Sequence, residues 1–269
     1  MHRVSISMAW DETKAIVARD GKLLAAVALA LVTLPQTIMA VVGMPVGPEA
    51  KPASSLIYIA VLLIGLAAQV ALNRLAIGPS TSVGGAIGRG FARLLSLLGA
   101  LLLFGIVIVL VLMLIAVPLG AAGLIAIPAA GHPPSPGLIS IMLILLALGF
   151  AIFQLSFPVA AAEAGGPIRL LKRSWQLSRG SYLRLLAFVI FVFAGIIILG
   201  LAVRSVVGSL VILALGTPSA GTMSALLLGL IAGILQAAFT VVTAVMLARI
   251  YVQLAGRGET ESGVPITGI

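Results

Sequence analysis

The sequence predicts an all-α, polytopic membrane protein with six transmembrane helices. The chain is 61% hydrophobic and 9% charged, whereas soluble globular domains are about half apolar and about a quarter charged. Its mean hydropathy is +1.28, and its apolar residues fall into runs of about 20, the length of a helix that crosses a hydrocarbon core about 30 Å thick. These observations place the chain in a lipid bilayer as a single integral membrane domain over 1–269.

The first segment joins a polar helix to an apolar run. Ser7 can cap a short helix at about 7–20, with Trp10 as its anchor at the membrane interface. The charges from Asp11 to Lys22 precede the apolar run, and no small-residue cleavage pattern follows it. We therefore expect no secretory signal peptide, and a first span at about 23–42.

The second span is predicted at about 55–77, and a glycine- and serine-rich segment with a helix at about 82–92 follows it. The charge-free stretch that starts at Leu94 is too long for one perpendicular crossing. Pro118 is the expected break, because proline costs a helix interior about 3 kcal/mol. The third span is therefore placed at about 94–117.

The fourth span, about 138–162, leads into a polar stretch with an amphipathic basic helix at about 167–179. The fifth span, about 183–203, is expected to end at Arg204. The apolar piece after it is too short to cross, and is either an extension of a tilted helix or an outer surface segment. The sixth span covers about 224–248, and a polar tail follows it.

Six spans put both termini on one side of the membrane. Of the 16 Lys and Arg residues, all but Lys51 and Arg204 fall in segments on that same side. The positive-inside rule therefore predicts cytoplasmic N and C termini. It also explains the net charge of +9 without a nucleic-acid partner.

A short pattern occurs three times, with an arginine and a glycine before a Leu-Leu pair that opens a span. It lies at 19–24, 89–95 and 179–186. Each instance follows a candidate interfacial helix, which favours three parallel repeats of an interfacial helix plus a helical hairpin. The alternative is that any cytoplasmic boundary collects arginine, glycine and leucine.

The basic helix is the clearest local signal in the polar stretch. Pro167 suits a first helical position. Ile168, Leu171, Trp175 and Ser178 are predicted to share the face opposite the cations, with Trp175 at headgroup level. Cations near anionic lipid contribute about 1 kcal/mol each. The residues expected to contact anionic lipid are Arg169, Lys172, Arg173 and Arg179. The helix is interpreted as a topological anchor or, alternatively, as a specific phospholipid-headgroup or polyphosphate site.

Glu163 is the only acidic residue between Glu49 and Glu259. It lies at the end of the fourth span beside several cations, and we expect it to pair with Arg169 or Arg173. The alternative is a proton relay, since ionisable groups at span ends can serve transport.

Polar and small residues inside the spans predict helix contacts. The intramembrane polar residues are Gln69, Asn73, Gln154 and Gln236. They predict interhelical hydrogen bonds of about 0.6–2 kcal/mol each or, alternatively, the lining of a polar path. The small residues that recur every four positions in the sixth span are Ala225, Gly229, Gly233 and Ala237. They predict a face where another helix approaches closely.

No catalytic or metal-binding constellation is visible in the sequence. The chain has no cysteine, and its two histidines, His2 and His132, lie far apart. A Ser–His–acid triad or a metal site would need partners that the spans do not supply. We expect no metal, no cofactor and no enzymatic activity.

The stretch from Pro158 to Tyr182 contains a spaced set of residues, which are Pro158, Glu163, Gly166, Pro167, Arg173, Ser174, Trp175 and Gly180. In this set the stretch resembles the membrane domain of the glycerophosphoryl diester phosphodiesterase family, a bacterial six-span module. Some members of that family carry a soluble barrel that hydrolyses the diester with histidines and metal-binding carboxylates, and this chain has neither the barrel nor those residues. The resemblance implies a membrane module in the bacterial inner membrane and no phosphodiesterase activity.

Two functions are compatible with these features. The first is a non-enzymatic inner-membrane protein of envelope or lipid homeostasis, an anchor or partner module that binds anionic lipid, another protein or a second copy of itself. The second is a small transporter or permease subunit, with a polar path between the repeats lined by Gln69, Gln154 and Gln236. An enzyme that acts on lipid would lack catalytic groups.

Overall fold

The computed structural model of the chain describes residues 5–43, 52–78, 82–126 and 134–262, without the side chains of 52–53 and 257–262. Within these ranges the regular structure is entirely helical. The helices are α1 (Ile6–Ala28), α2 (Leu34–Val42), α3 (Pro52–Ile77), α4 (Val83–Ala92), α5 (Leu94–Ala121), α6 (Pro136–Phe153), α7 (Ser156–Ala162), α8 (Pro167–Ser178), α9 (Tyr182–Leu215) and α10 (Met223–Ser262), and a π-helical turn (Leu29–Thr33) joins α1 to α2.

Among the described residues, six helical segments are long and apolar enough to cross a membrane, which confirms the predicted fold class of a multi-pass helical protein. They are Ile6–Val42, Ser54–Ile77, Leu94–Ala121, Pro136–Ala162, Tyr182–Leu215 and Met223–Gly256. The short helices α4 and α8 lie at the positions predicted for the second and third interfacial helices.

The first segment differs from its prediction, because no break separates a helix at 7–20 from a span at 23–42. One helical segment runs from Ile6 to Val42, and at 1.5 Å per residue its 37 residues extend about 55 Å, beyond a core of about 30 Å. Its cap is Ser5, whose hydroxyl accepts from the Met8 amide at 3.2 Å. The π-helical turn precedes Pro35, which has no amide hydrogen to continue the regular ladder.

The third span also passes its predicted end, since α5 continues through Pro118 to Ala121. The Ala122 amide donates to the Pro118 carbonyl at 3.0 Å, so the last turn closes beyond the proline. In hydrocarbon a freed backbone group finds no water, and a continued helix satisfies the most backbone groups.

The fourth span, predicted as one helix over 138–162, is interrupted between α6 and α7. Pro158 cannot donate to the Gln154 carbonyl, which lies four residues before it, and its ring crowds that carbonyl. The Gln154 carbonyl accepts instead from Phe157, at 3.4 Å. The sequence contained this signal, but the prediction did not use it.

The last two spans are longer than predicted. The helix α9 does not end at Arg204 but continues to Leu215, where Gly216 adopts a φ of +84° that ends it. The apolar piece after Arg204 is therefore an extension of the fifth span. The helix α10 continues beyond Arg249, where a polar tail was predicted, because Ile250 and Leu254 are buried against the bundle.

The centre of the bundle is α10, which packs against α1, α2, α3 and α9. The four-residue stripe of small residues lies against the first span. A side chain at Gly229 would collide with Ala40, and a Cβ at Gly233 would lie 2.9 Å from the Thr33 carbonyl oxygen. The Thr33 hydroxyl donates to the Gly233 carbonyl at 3.0 Å, so the close approach also permits a hydrogen bond. Ala225 and Ala237, at the ends of the stripe, are buried.

Candidate functional site

The candidate site is the junction of α7, α8 and α10, at the end of the bundle that carries most of the cations; we call it the basic end. Glu163 follows α7 in an extended conformation, and Gly166 and Pro167 open α8. The Glu163 Oε1 atom accepts from Arg173 Nε at 2.9 Å and from the Tyr251 hydroxyl at 3.0 Å. One carboxylate oxygen thus joins three elements, and the partner of Glu163 is Arg173, not Arg169.

A buried hydroxyl pair provides the second attachment of α8. The Oγ atoms of Ser156 and Ser174 lie 3.0 Å apart, and both side chains are fully buried. The Ser174 hydroxyl lies 2.9 Å from the Leu170 carbonyl of its own helix. Leu170 and Leu177 are buried on the same side, so this face of α8 packs on the bundle.

The orientation of α8 differs from the sequence prediction. Ile168 and Trp175 were expected to share a face with Ser178, yet they are 72% and 51% exposed while Ser178 is buried. Arg173 was grouped with the lipid-contacting cations, but it turns to Glu163 and is 33% exposed. A two-faced pattern cannot reveal this arrangement, because α8 has a third face that contacts protein.

The exposed surface of α8 therefore combines two kinds of side chain. Arg169, Lys172 and Arg179 are exposed, and Ile168 and Trp175 flank them at helical spacing. Among the described side chains, none of these three cations has an ion-pair or hydrogen-bond partner. We call these five residues the α8 surface.

Arg89 of α4 adds a further contact at the basic end. Its Nη2 atom donates to the Ala162 carbonyl at 3.2 Å, so a cation meets the negative end of the α7 dipole. Burial, with Arg93 and Arg74 nearby, lowers the pKa of Arg89. The α4 backbone lies tightly on α3, because a side chain at Gly90 would collide with the backbone of Ala67.

Most of these partners were not found from the sequence. Tyr251 lies 88 positions from Glu163 and belongs to no motif. The salt bridge between Glu12 and Arg249, 2.6 Å long, joins α1 to α10 across 237 positions. Its only sequence signal is that both charges lie near predicted membrane boundaries.

The eight residues of the quoted motif lie together around this junction. Pro158 is buried in α7, and Gly180, with a φ of +81°, makes the turn from α8 to α9 that a side chain would strain. The glycines of the three-fold sequence pattern have different surroundings. Gly21 lies inside α1, Gly90 lies against α3, and Gly180 forms a turn.

The intramembrane glutamines line one small cavity. Gln69, Gln154 and Gln236 surround a space of about 150 Å³ together with Thr240 and Thr243. The Gln154 Nε2 atom is buried and has no hydrogen-bond partner among the described residues. The cavity is large enough for several waters or a small polar solute.

Asn73 lies apart from that cavity. It is fully buried, and its Nδ2 atom donates to the Gln69 carbonyl within α3 at 2.7 Å. Its Oδ1 atom has no partner in the described part of the chain. The predicted interhelical hydrogen bond of Asn73 is therefore not present there.

The basic end can hold anionic groups, and the small cavity can donate and accept hydrogen bonds. Over the described ranges, no group of three His, Asp or Glu side chains lies close enough to hold a metal ion. The two histidines, His2 and His132, lie outside the described residues.

No curated protein matches the chain, and no solved structure matches it. A family match covers residues 6–254, which includes the basic end, five whole spans and all but the last two residues of the sixth. The chain therefore belongs to the family described as "Domain of unknown function (DUF7847)".

Proposed function

We propose that this chain is a non-enzymatic protein of the bacterial inner membrane that binds anionic lipid through the α8 surface. In this role it is a membrane anchor or partner module in envelope or lipid homeostasis. The observation that carries the proposal is the composition of the α8 surface, in which three cations without an ion-pair partner among the described side chains lie beside exposed Ile168 and Trp175.

The α8 surface has the chemistry of a membrane interface. The Trp175 and Ile168 side chains favour the boundary between headgroups and acyl chains, and the cations favour the phosphates above it. Attachment through Glu163 and Ser174 holds α8 in place before lipid binds. Such preorganisation lowers the entropy lost on binding.

Three cations near anionic headgroups contribute on the order of 3 kcal/mol together, at about 1 kcal/mol each. Each 1.4 kcal/mol is a factor of about ten in affinity. Full engagement of Arg169, Lys172 and Arg179 would therefore give up to about a hundredfold preference for anionic over neutral lipid.

The proposal includes the topology. Cytoplasmic termini and a cytoplasmic α8 follow from the distribution of Lys and Arg, and the assignment to the bacterial inner membrane rests on the resemblance to the phosphodiesterase membrane domain. Three parallel repeats remain part of the proposal and rest on the recurrent pattern. Because the chain has no cysteine, Lys172→Cys and Ser219→Cys provide single labelling sites. An impermeant maleimide should label intact cells only at position 219.

Lipid preference can be measured with Trp175 as the reporter. The chain has two tryptophans, so Trp10→Phe leaves Trp175 as the only one. In reconstituted vesicles, brominated phosphatidylglycerol should quench its fluorescence more than brominated phosphatidylcholine does at equal mole fraction. Replacement of Arg169, Lys172 and Arg179 by Gln should remove that difference.

The matched control uses the other tryptophan as reporter. In a Trp175→Phe background, the same three substitutions should leave the quenching of Trp10 unchanged. Equal quenching of Trp175 by the two lipids in the unsubstituted protein would contradict anionic-lipid binding at α8.

A second candidate is a small transporter or permease subunit. The observation that favours it is the convergence of Gln69, Gln154 and Gln236 on one cavity. The Gln154 side-chain amide nitrogen there has no hydrogen-bond partner among the described residues. A transported polar solute should raise the melting temperature of the protein, and Gln154→Leu should remove that increase. Gln176→Leu, which changes a glutamine on the exposed side of α8, is the control. Indifference of the protein to a broad panel of solutes would count against transport.

A further inference from the structure

A larger cavity, of about 630 Å³, lies on the other half of the bundle from the α8 surface. It occupies the gap between α2 and α9, which both pack on α10. The lining residues used below are Gln36, Ile196, Arg204, Gly208, Ala232 and Phe239. We call this space the Arg204 groove.

Among the described residues that line the groove, Arg204 is the only charged one. It follows Tyr182 by 22 positions, or about 33 Å along the helix at 1.5 Å per residue, which is about one hydrocarbon thickness. Its Cγ atom lies 3.8 Å from the position that a Cβ on Gly208 would take, one turn farther from the basic end. The side chain therefore extends toward the far headgroup region, as long cationic side chains do in membranes.

The guanidinium of Arg204 has no ion-pair or hydrogen-bond partner in the described part of the chain. An arginine at a membrane boundary is stabilised when it meets an anion, and a phosphate can accept two parallel hydrogen bonds from it. The charge of the groove therefore favours an anionic occupant, since the described residues that line it supply no anion.

The shape of the groove favours a long apolar chain attached to that anion. Its residues on α9 run from Ile196 to Ile212, about 24 Å of helix. Most of its wall is aliphatic or aromatic, and its volume falls in the usual range for ligand sites, about 300–1,000 Å³. Ile196, Gln236 and Phe239 line both the groove and the small glutamine cavity, so the space narrows toward the basic end.

We propose that the Arg204 groove holds one anionic diacyl phospholipid, with its phosphate at Arg204 and an acyl chain along α10 toward Phe239. Gln36 lies on the groove wall, and its side-chain amide can donate to headgroup oxygens. The site is independent of the α8 surface, because the two share no residue and lie on opposite halves of the bundle.

The test measures lipid binding to the full chain in neutral detergent by native mass spectrometry. The probes are dioleoyl phosphatidylglycerol, dioleoyl phosphatidylcholine and water-soluble glycerol 3-phosphate. We expect one tightly bound phosphatidylglycerol, and Arg204→Gln should weaken it about tenfold, to the level of phosphatidylcholine. Ala232→Trp should fill the groove and weaken both lipids. Ala238→Trp is the matched control, because Ala238 is exposed on α10 and lines neither cavity.

Three results would overturn the proposal. One is undiminished phosphatidylglycerol binding in both Arg204→Gln and Ala232→Trp. Another is binding of glycerol 3-phosphate as tight as that of phosphatidylglycerol, which would make the groove a site for a water-soluble solute. The third is conversion of a dimer to a monomer by Ala232→Trp without loss of lipid, which would make the groove an interface between copies.

The same assay separates this site from the α8 surface. Replacement of Arg169, Lys172 and Arg179 by Gln should leave the lipid that depends on Arg204 in place. If Arg204→Gln has no effect and the α8 substitutions remove all anionic preference, the groove proposal fails and the proposed function remains.

Discussion

Replacement of Glu163 by Gln tests how α8 is held on the bundle. The substitution preserves shape but removes the charge from the oxygen that accepts from both Arg173 and Tyr251. Hydrogen bonds to charged groups contribute about 1.5–3 kcal/mol, and those between neutral groups about 0.5–1.5 kcal/mol. The Arg173 and Glu163 side chains are 33% and 26% exposed, so solvent screening reduces the difference. We expect Glu163→Gln to lower the free energy of local opening of α8 by about 1–2 kcal/mol.

Hydrogen exchange of the backbone amides over 167–178, measured by mass spectrometry in lipid nanodiscs, reports this local stability. Exchange should become about tenfold faster in Glu163→Gln, because 1.4 kcal/mol corresponds to a factor of ten in the opening equilibrium. Lys172→Gln removes a charge from the same helix without removing a contact within the protein, and in nanodiscs of neutral lipid it should exchange like the wild type. The double variant of Glu163 and Arg173 should show a coupling energy of about 1 kcal/mol.

Two outcomes would refute this reasoning. If Glu163→Gln exchanges no faster than Lys172→Gln, the carboxylate does not hold α8 in place. If the effects of Glu163→Gln and Arg173→Gln simply add, the two groups do not interact in solution, and the Ser156–Ser174 pair and the buried leucines are sufficient to hold the helix.

Two further predictions concern the contact between α10 and the first span. Gly229→Val should lower the free energy of unfolding by about 1–3 kcal/mol, because the new side chain overpacks the contact. Gly105 has open space around it, so Gly105→Val should lower that free energy by less. Equal melting temperatures of the two variants would contradict the close approach. Thr33→Val removes the hydroxyl that donates to the Gly233 carbonyl and should lower the free energy of unfolding by about 0.6–1 kcal/mol. The control is Thr37→Val, whose hydroxyl donates only within its own helix. An equal loss of stability in the two variants would show that the interhelical hydrogen bond adds nothing.

The prolines show where sequence reasoning on the spans was incomplete. Pro118 was expected to end a helix and does not, while Pro158 was placed inside one helix and interrupts it. Each proline lacks the amide hydrogen that would bond the carbonyl four residues before it, which is Leu114 for Pro118 and Gln154 for Pro158. At Pro118 the helix nevertheless continues to Ala121, whereas at Pro158 the Gln154 carbonyl accepts from Phe157 and the helix is interrupted. A proline in the sequence therefore marks a weakened position, and the surrounding structure decides whether the helix ends there.

The sequence by itself determined the number of spans, the existence of α8 and the presence of a close-packing stripe in the sixth span. These features depend on local properties, because the free energy of transferring a segment into hydrocarbon is a sum of contributions from neighbouring residues. Small side chains at four-residue spacing similarly predict a close approach whatever helix makes it. Such properties are available from a single linear pattern.

Only the tertiary structure decided which groups meet. Glu163 pairs with Arg173 and not with Arg169, and the Tyr251 hydroxyl donates to the same carboxylate oxygen. Gln69 and Gln154 line one cavity. These contacts depend on how whole helices are rotated and paired. In a bilayer the helix faces are nearly uniform in apolarity, so composition does not rank one pairing above another. The pairing is selected by shape, by a few hydrogen bonds and by the need to satisfy polar groups where no water is available.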